Sequence, residues 1–407
     1  MRAIFATVAL LLLLLGAGAY AEPAAPVTRR YQSYDYQETA ENMLKQVRVT
    51  IPEGLATVRG LLVVSNWSGG DSRDLYREAW YREFLFLHDF AFVGTQGFTS
   101  HVESFQVMQH ALAQIAQDSG HPELVNVPYV TTGFSAGGGF ASRLLVEAPE
   151  RVIACVPCGA RLNFTRDPFT PARLGTPAVI ISGELETGFP AVVEPVLAEA
   201  RPLGGLFGWM TVQGAGHARV GQEVLAMPLL DAAVRLRYPA DGDVRQGPVT
   251  LLPLDPASGW VADNTTWKSG LTVIAPAAQF TGDVAKSSWL LNEDLAFIYR
   301  AYATYDRPLT ITSPQTNRDQ AWPPGSSVMI KVDDAKFAPW QKLEFYDGAQ
   351  KLGEITSGPP QFTATDLTPG FHAFSVLGTN AQGTLRTSQP VLVVVRKLQA
   401  GEATATP

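Results

Sequence analysis

One serine stands in a setting that favours nucleophilic chemistry. The run Gly133-Phe134-Ser135-Ala136-Gly137 fits a G-x-S-x-G pattern, with strand-like residues 127–132 before it and helical spacing over 140–148 after it. A sharp strand-to-helix turn lifts the serine Oγ clear of the sheet, and glycines leave room for so tight a turn. The N–H of Ala136 would then lie at a helix N-terminus, where it could bind a developing oxyanion. The alternative is a glycine-rich helix start with no catalytic content.

A serine hydroxyl is a weak nucleophile unless a base takes its proton. After a serine of this kind, the chain order is an acid and then a histidine. Four of the six histidines precede Ser135, and His372 has apolar neighbours in a strand-like segment. His217 lies in a glycine-rich loop directly after the strand-like residues 209–213. This order predicts His217 as the base, and the alternative is a loop histidine without a catalytic role.

The acid is expected where the preceding strand ends. Residues 177–182 are predicted to form that strand, and Gly183-Glu184-Leu185-Glu186 follows it. Glu186 has the Gly-x-x-acid spacing that commonly presents such a carboxylate, and Glu184 is the alternative. The acid would orient the imidazole and stabilise its cation. The other glutamate would be a solvated charge or a contact to the substrate.

Aromatic and amide groups could complete the site. The second oxyanion N–H is expected in the loop after residues 60–65, from Asn66 or Trp67. Trp67 could also form a wall for a ring-shaped substrate, although packing in the core explains it equally well. Trp267 could border the cleft, with core or surface packing as its alternative. We therefore treat Ala136, Asn66 and Trp67 as candidate oxyanion residues, and Trp67 and Trp267 as candidate substrate contacts.

The two cysteines, Cys155 and Cys158, form a C-x-x-C pair. This spacing can indicate redox chemistry, but here it lacks a thioredoxin-like context. Two small buried thiols or a local disulfide are the expected arrangement. A metal site would need more ligands than this pair supplies, so we predict neither a metal nor any other cofactor.

The elements that must position these groups alternate between strands and helices up to about Arg307. Such alternation predicts an α/β fold with a mostly parallel sheet. Residues 236–306 show no core pattern of their own, and 287–303 within them have helical spacing. Residues 308–397 show several short alternating runs separated by turns, which predict a β-sandwich. We predict a catalytic domain over 22–306, a sandwich over 307–397 and a disordered tail over 398–407.

The first 21 residues have the features of a secretory signal peptide. Arg2 is followed by an apolar run from Ala3 to Leu15, and the segment ends in an A-x-A pattern at Ala21. This run is shorter than a bilayer span requires. We therefore expect cleavage, a secreted or periplasmic protein and no stable membrane anchor. A net charge of −7 without a basic cluster argues against a nucleic-acid partner.

The segment from about residue 50 to residue 235 resembles an α/β-hydrolase, in particular the secreted bacterial esterases and polyhydroxyalkanoate-depolymerase-like enzymes. The matching segments are Gly120-His-Pro-Glu-Leu124, Gly133-Phe-Ser-Ala-Gly-Gly138, Pro149-Glu-Arg-Val152 and Gly216-His217. The resemblance implies Ser135 as nucleophile, Glu186 as acid and His217 as base. The chain departs from the pattern in lacking a His-Gly pair in the oxyanion loop and in having Glu where Asp is commoner.

Residues 308–397 resemble the immunoglobulin-like modules that are appended to exported bacterial enzymes acting on polysaccharides. The run Lys342-Leu-Glu-Phe-Tyr-Asp-Gly-Ala-Gln-Lys-Leu-Gly353 is close to their recurrent hairpin, and residues 391–395 fit their last strand. Such modules commonly act as spacers.

Together these features indicate an exported serine hydrolase that cleaves carboxylic esters, which could be linked to a polymer or polysaccharide. A serine peptidase on the same fold is one alternative. A non-catalytic surface or binding protein with a relict hydrolase fold is the other.

Overall fold

The computed structural model describes residues 30–162, 169–219 and 221–397. The predicted signal peptide over residues 1–21 and the predicted disordered tail over 398–407 lie outside the described residues. Among the described helices, none combines the length and apolar character that crossing a bilayer requires.

An eight-stranded sheet forms the centre of the first part of the chain. Its strand order is β1-β2-β4-β3-β5-β6-β7-β8, with antiparallel pairing from β1 to β2 to β4 and parallel pairing across the rest. The strands are β1 (Tyr31–Ala40), β2 (Met43–Pro52), β3 (Gly60–Ser65), β4 (Phe90–Gln96), β5 (Tyr129–Phe134), β6 (Val152–Cys158), β7 (Ala178–Gly183) and β8 (Phe207–Val212).

Helices cover both faces of this sheet. They are α1 (Ala79–His88), α2 (Val102–Ser119), α3 (Ala136–Glu147), α4 (Pro171–Leu174), α5 (Pro190–Ala200) and α6 (Glu223–Arg237). Alternate residues of a strand point to opposite faces. In β3, Leu62 and Val64 therefore join one core and Leu61 and Val63 the other. Because both faces are covered, the central strands are continuous apolar runs rather than alternating ones. This is an α/β-hydrolase fold, as the sequence predicted.

Residues 236–306 contain a small antiparallel sheet, in the order β10-β9-β11, and one helix. The elements are β9 (Trp260–Asp263), β10 (Ile274–Pro276), β11 (Ser287–Leu290) and α7 (Glu293–Ala303). The prediction of helical structure throughout 287–303 was therefore wrong for its first residues. Asn292 accepts a hydrogen bond from the N–H of Leu295 and so begins the helix after the strand.

The C-terminal part is a β-sandwich of two antiparallel sheets, as predicted. One sheet has the order β12-β13-β16, and the other has β15-β14-β17-β18 with β19 paired to β17. The strands are β12 (Thr310–Ser313), β13 (Val328–Asp333), β14 (Trp340–Asp347), β15 (Gln350–Ile355), β16 (Gln361–Ala364), β17 (Gly370–Asn380), β18 (Leu385–Thr387) and β19 (Val391–Val395). The exact domain boundaries given above remain a prediction.

Strand β19 packs on both of its faces. Val391, Val393 and Val395 belong to the core of the sandwich. Leu392 and Val394 belong instead to the core formed with the first part of the chain, on the side of the large sheet that carries α1 and α6. The sandwich therefore shares an apolar interface with the α/β part.

We predict that Leu392→Ala lowers the free energy of unfolding by about 2–5 kcal/mol, because it opens a cavity in this shared core. Leu392 is 2% exposed, whereas Leu385 on the neighbouring β18 is 41% exposed. Leu385→Ala is therefore the matched control, with an expected loss below about 1 kcal/mol. Urea unfolding of the two variants tests the interface, and equal effects would contradict it.

Candidate active site

Ser135 occupies the turn between β5 and α3. Its backbone has φ 57° and ψ −120°, in a region that non-glycine residues rarely adopt. The N–H of Ser135 donates to the carbonyl of Cys158 at 2.9 Å, and its own carbonyl accepts from the N–H of Gly139 at 2.9 Å. These bonds fix the turn on both sides. The strain is local and exposes the hydroxyl where the parallel strands end.

Two glycines make this turn possible. A Cβ on Gly133 would lie 2.4 Å from the carbonyl oxygen of Gly137, and a Cβ on Gly137 would lie 2.3 Å from the carbonyl group of Ser65. Real side chains do not tolerate such distances. Both glycines of the G-x-S-x-G motif are therefore required because the backbone of one segment contacts the backbone of another. Starting a helix would not by itself require them.

The structure brings Ser135, His217 and Glu186 together. The Nε2 atom of His217 lies 2.8 Å from Ser135 Oγ, and its Nδ1 atom lies 2.5 Å from Glu186 Oε1. The side chain of Glu186 is 8% exposed, whereas that of His217 is 49% exposed. A buried carboxylate on one ring nitrogen fixes the tautomer that leaves the other nitrogen as a proton acceptor toward the serine.

The two candidate acids perform different tasks. Glu186 contacts His217, and its second oxygen accepts the N–H of Gly183 at 2.6 Å. Glu184 instead accepts the N–H of Gly214 at 3.0 Å and lies 3.7 Å from the Nζ of Lys268. The geometry therefore favours Glu186 as the partner of the imidazole. Glu184 stabilises the start of the loop that carries the histidine.

That loop, residues 214–219, packs directly on the end of β7. The N–H of Leu185 donates to the carbonyl of Ala215 at 2.8 Å. A Cβ on Gly183 would lie 2.3 Å from the same carbonyl oxygen and 2.5 Å from that of Gly216. Glycine at position 183 therefore allows the segment with Glu184 and Glu186 to contact residues 214–219, which we call the base loop because they carry the candidate base His217.

Two residues that the sequence did not single out support the imidazole. Gly159 has φ +56°, and a Cβ there would lie 3.1 Å from Cε1 of His217. The ring of Phe134 is 4.9 Å from that of His217, and Trp67 meets Phe134 edge-on at 6.5 Å. In the sequence, Gly159 is one glycine among many, and nothing marks its left-handed conformation. Phe134 occupies the variable position between Gly133 and Ser135, where the motif specifies no residue type.

The candidate oxyanion residues lie around the serine turn. Ala136 is the first residue of α3. The carbonyl oxygen of Asn66 would be 2.4 Å from a Cβ on Gly137, so the loop after β3 touches the turn. Asn66 is buried, whereas Trp67 is 47% exposed beside the Phe134 ring. The packing places these residues at the site, and their oxyanion role stays a prediction.

The contacts of the Trp267 ring are with Tyr305 and Lys268. Its ring is 5.9 Å from that of Tyr305, and the Nζ of Lys268 lies 4.7 Å from its centre. Lys268 in turn approaches Glu184. Trp267 is thus connected to the base loop through the Lys268–Glu184 pair, and its role as a substrate contact stays a prediction.

The cysteines are buried free thiols, the first of the two arrangements expected from the sequence. Burial raises the pKa of both thiols, so neither is poised for thiolate chemistry. Among the described residues, Glu41, His101 and Glu103 have the spacing of metal ligands. Glu41 is, however, already paired with Lys45 and with His101.

A buried ionic cluster lies behind the base loop. The guanidinium of Arg219 donates to the carboxylate of Glu223, which also accepts from Gln222 at 3.1 Å. Glu78 is 5% exposed, with Arg318 at 3.7 Å from its carboxylate and the charge of Arg219 also acting on it. Burial, and secondly repulsion by Glu223, raises the pKa of Glu78 to about 7.

Comparison with family models finds no match for the sequence, and comparison with curated proteins finds none either. Among solved structures, the chain is similar to a feruloyl esterase module from Clostridium thermocellum. The identity is 11% over 51% of this chain and 88% of that chain, with a TM-score of 0.37. It is also similar to a poly(3-hydroxybutyrate) depolymerase from Bordetella parapertussis, at 15% identity over 54% of this chain and 94% of that chain, with a TM-score of 0.31.

A third similarity is to fibronectin(III)-like modules of Clostridium thermocellum, at 23% identity and a TM-score of 0.21. It covers 22% of this chain and 45% of that chain, so the chain spans less than half the length of that protein. At these identities the similarities concern the fold alone. The roles of the site residues therefore depend on the geometry described above.

We predict that Glu186→Gln slows the labelling of Ser135 by a fluorophosphonate by about 10³-fold or more, because an amide cannot stabilise the imidazolium that forms. Glu184→Gln keeps the size of the side chain and is the matched control, with an expected loss below about tenfold. Single-turnover labelling followed by mass spectrometry measures both rates. A larger loss in the Glu184 variant would reverse the assignment of the acid.

We also predict that Glu78 makes stability depend on pH. Its pKa is raised on folding, so the unfolded state releases the proton first and the free energy of unfolding falls as the pH rises from about 4.5 to 7. Glu78→Gln should therefore stabilise the protein by about 1–3 kcal/mol at pH 8 and have little effect at pH 4. The exposed Glu199→Gln is the control. The prediction is contradicted if urea unfolding shows the same change in the free energy of unfolding between pH 4 and pH 8 for wild type and for Glu78→Gln.

Proposed function

We propose that this protein is a serine hydrolase that cleaves carboxylic esters through an acyl-enzyme on Ser135. The single observation that carries the proposal is the hydrogen-bonded series from Glu186 through His217 to Ser135 Oγ. Ser135 itself lies on a strained turn that exposes its hydroxyl. Such a constellation serves acyl transfer on several unrelated folds.

In the first half-reaction, His217 Nε2 takes the proton of Ser135 as Oγ attacks the ester carbonyl. Glu186 holds the ring and stabilises the imidazolium, without itself taking the proton. The tetrahedral intermediate collapses when the C–O bond to the alcohol breaks and His217 returns the proton to the leaving oxygen. In the second half-reaction, His217 takes a proton from water, which attacks the acyl carbonyl. The bond from the acyl carbon to Oγ then breaks, and His217 returns the proton to Oγ, which releases the acid and free Ser135.

Negative charge develops on the carbonyl oxygen during both attacks. The N–H of Ala136, at the N-terminus of α3, is one candidate donor for that oxygen. An N–H of Asn66 or Trp67 would be the second, because the loop after β3 touches the serine turn. Preorganised donors of this kind contribute roughly 3–4 kcal/mol each to transition-state stabilisation.

Trp67 and Phe134 form an aromatic surface beside the imidazole. Since Trp67 is 47% exposed, its ring is available to a bound acyl or alcohol group. This surface supports a substrate with a flat or apolar part next to the ester. The predicted signal peptide over residues 1–21 supports export to the periplasm or beyond, where esters carried on polymers would be accessible.

We predict that Ser135→Ala reduces the hydrolysis of p-nitrophenyl acetate at least about 10⁴-fold, because the nucleophile is lost while the fold is kept. Wild type should hydrolyse p-nitrophenyl and feruloyl esters and leave peptide anilides intact. The exposed Ser269→Ala is the matched control. Spectrophotometric rates, with the released acids identified by mass spectrometry, test the proposal.

Two results would overturn it. Faster cleavage of anilides than of esters would indicate a serine peptidase on the same fold. Wild type that is no more active than Ser135→Ala on the whole ester panel would indicate a non-catalytic protein.

A further inference from the structure

A cleft of about 760 Å³ lies between the base loop and the β-sandwich. Its volume is in the range of sites that bind small molecules or a few units of a polymer. Gln213 and Gly221, which lie on either side of the base loop in the chain, contribute to it, and the sandwich supplies the opposite wall. The lining residues used below are Gln213, Gly221, Asp306, Arg307, Lys336 and Gln389.

The two walls of this cleft are held in fixed positions. Leu392 and Val394 of β19 pack into the core shared with the α/β part. The N–H of Ala79 donates to the carbonyl of Arg318 at 2.6 Å, and Arg386 of the sandwich pairs with Asp306 at 2.8 Å. A cleft whose walls are fastened in this way exists before any ligand binds, which reduces the entropic cost of binding.

The lining is polar and has one acidic and two basic side chains, Asp306, Arg307 and Lys336. Two of its charged groups already have partners, because Arg307 donates to the carbonyl of Tyr302 and Asp306 accepts from Arg386. Amide side chains remain on both walls, with the half-buried Gln213 on one side and the exposed Gln389 on the other. Amides and threonine hydroxyls both donate and accept hydrogen bonds, as a ligand rich in hydroxyl groups requires.

Trp267 and Tyr305 form an aromatic pair, and Tyr305 is adjacent in sequence to a residue that lines the cleft. Tyr305 is 40% exposed and directly precedes Asp306 of the lining. Its N–H donates to the carbonyl of Trp267 at 2.9 Å, and the two rings are 5.9 Å apart. Aromatic rings offer flat apolar faces with a polar edge, a combination that suits the faces and hydroxyls of a sugar ring.

The cleft is also close to the catalytic groups. Gln213 and Gly221 are each four residues from His217, so each lies within about 14 Å of it along even a fully extended chain. Glu184 connects the two regions, because it accepts the N–H of Gly214 and approaches Lys268 beside Trp267. These short separations would allow a chain bound in the cleft to carry a substituent toward Ser135 from the side of the base loop.

We propose that this cleft binds the neutral saccharide chain that carries the ester, while Ser135 cleaves the acyl group from it. The saccharide-binding part stands on the cleft itself, and only the coupling to hydrolysis rests on the proposed function. The hydrogen-bonding amides would select hydroxyl groups, and the Trp267–Tyr305 pair, which lies outside the lining and directly precedes Asp306 through Tyr305, would offer an aromatic face beside the cleft.

Binding is tested first in the full chain carrying Ser135→Ala, so that no turnover is needed. Linear hexasaccharides of glucose, xylose and mannose are titrated by calorimetry. We expect at least one to bind, and Gln389→Trp to weaken that binding about tenfold or more because the indole fills the cleft. Gln350→Trp is the matched control, since Gln350 lines a different cleft between the same two parts of the chain. Thermal midpoints of both variants check that each is folded.

Kinetics provide the second arm. We divide kcat/KM for an acylated hexasaccharide by kcat/KM for p-nitrophenyl acetate. In Gln389→Trp this ratio should fall about tenfold or more, because KM for the oligosaccharide ester rises. The same ratio should stay within about twofold of wild type in Gln350→Trp.

The proposal is overturned if no neutral hexasaccharide binds at concentrations up to about 10 mM, which corresponds to negligible affinity. It is also overturned if both tryptophan variants weaken binding equally, or if only polyaspartate or polygalacturonate binds. If a hexasaccharide binds as expected but wild type cleaves no ester, the cleft is supported and the proposed hydrolase function fails.

Discussion

The close approach of backbone to backbone at the serine turn is the constraint on which the site depends. The end of β3, the end of β5 and the start of α3 meet there without side chains between them, because Gly133 and Gly137 carry none. A parallel sheet ends all its strands at one edge, and this contact determines where that edge presents the hydroxyl of Ser135. The candidate oxyanion loop around Asn66 is held at the turn by the same contact, so one packing requirement positions two functions.

The base loop depends on a second set of constraints of the same kind. Gly183 allows the loop to approach the end of β7, and Gly159 leaves room under the imidazole. The two glutamates after β7 then divide the work, since Glu186 contacts the ring and Glu184 holds the N–H of Gly214. The loop is exposed at His217, so these contacts at its base are what keep the imidazole at hydrogen-bond distance from Ser135.

The sequence predicted the features that leave a local pattern and missed those that depend on tertiary contacts. Alternating strands and helices predicted the α/β fold, and the motif with its chain order led to Ser135, His217 and a choice between two glutamates. Strand β1 was missed because its polar residues suggest a surface segment, although it pairs with β2 over its whole length. The support of His217 by Gly159 and Phe134 joins segments far apart in the chain, and no single segment indicates it.

Strand β19 shows why the sandwich is more than a spacer. Its five apolar residues fit a last strand with one face in the sandwich core, but alternation allows only three of them to point there. Leu392 and Val394 point the other way and are 2% exposed, so a second apolar surface must cover them. That surface is the core beneath α1 and α6. A sandwich on a flexible tether would leave this face in water, at a cost of roughly 25 cal/mol for each Å² of apolar surface. The orientation of the sandwich relative to the base loop is therefore a consequence of the same hydrophobic burial that completes the core, and the cleft between them is a fixed part of the fold.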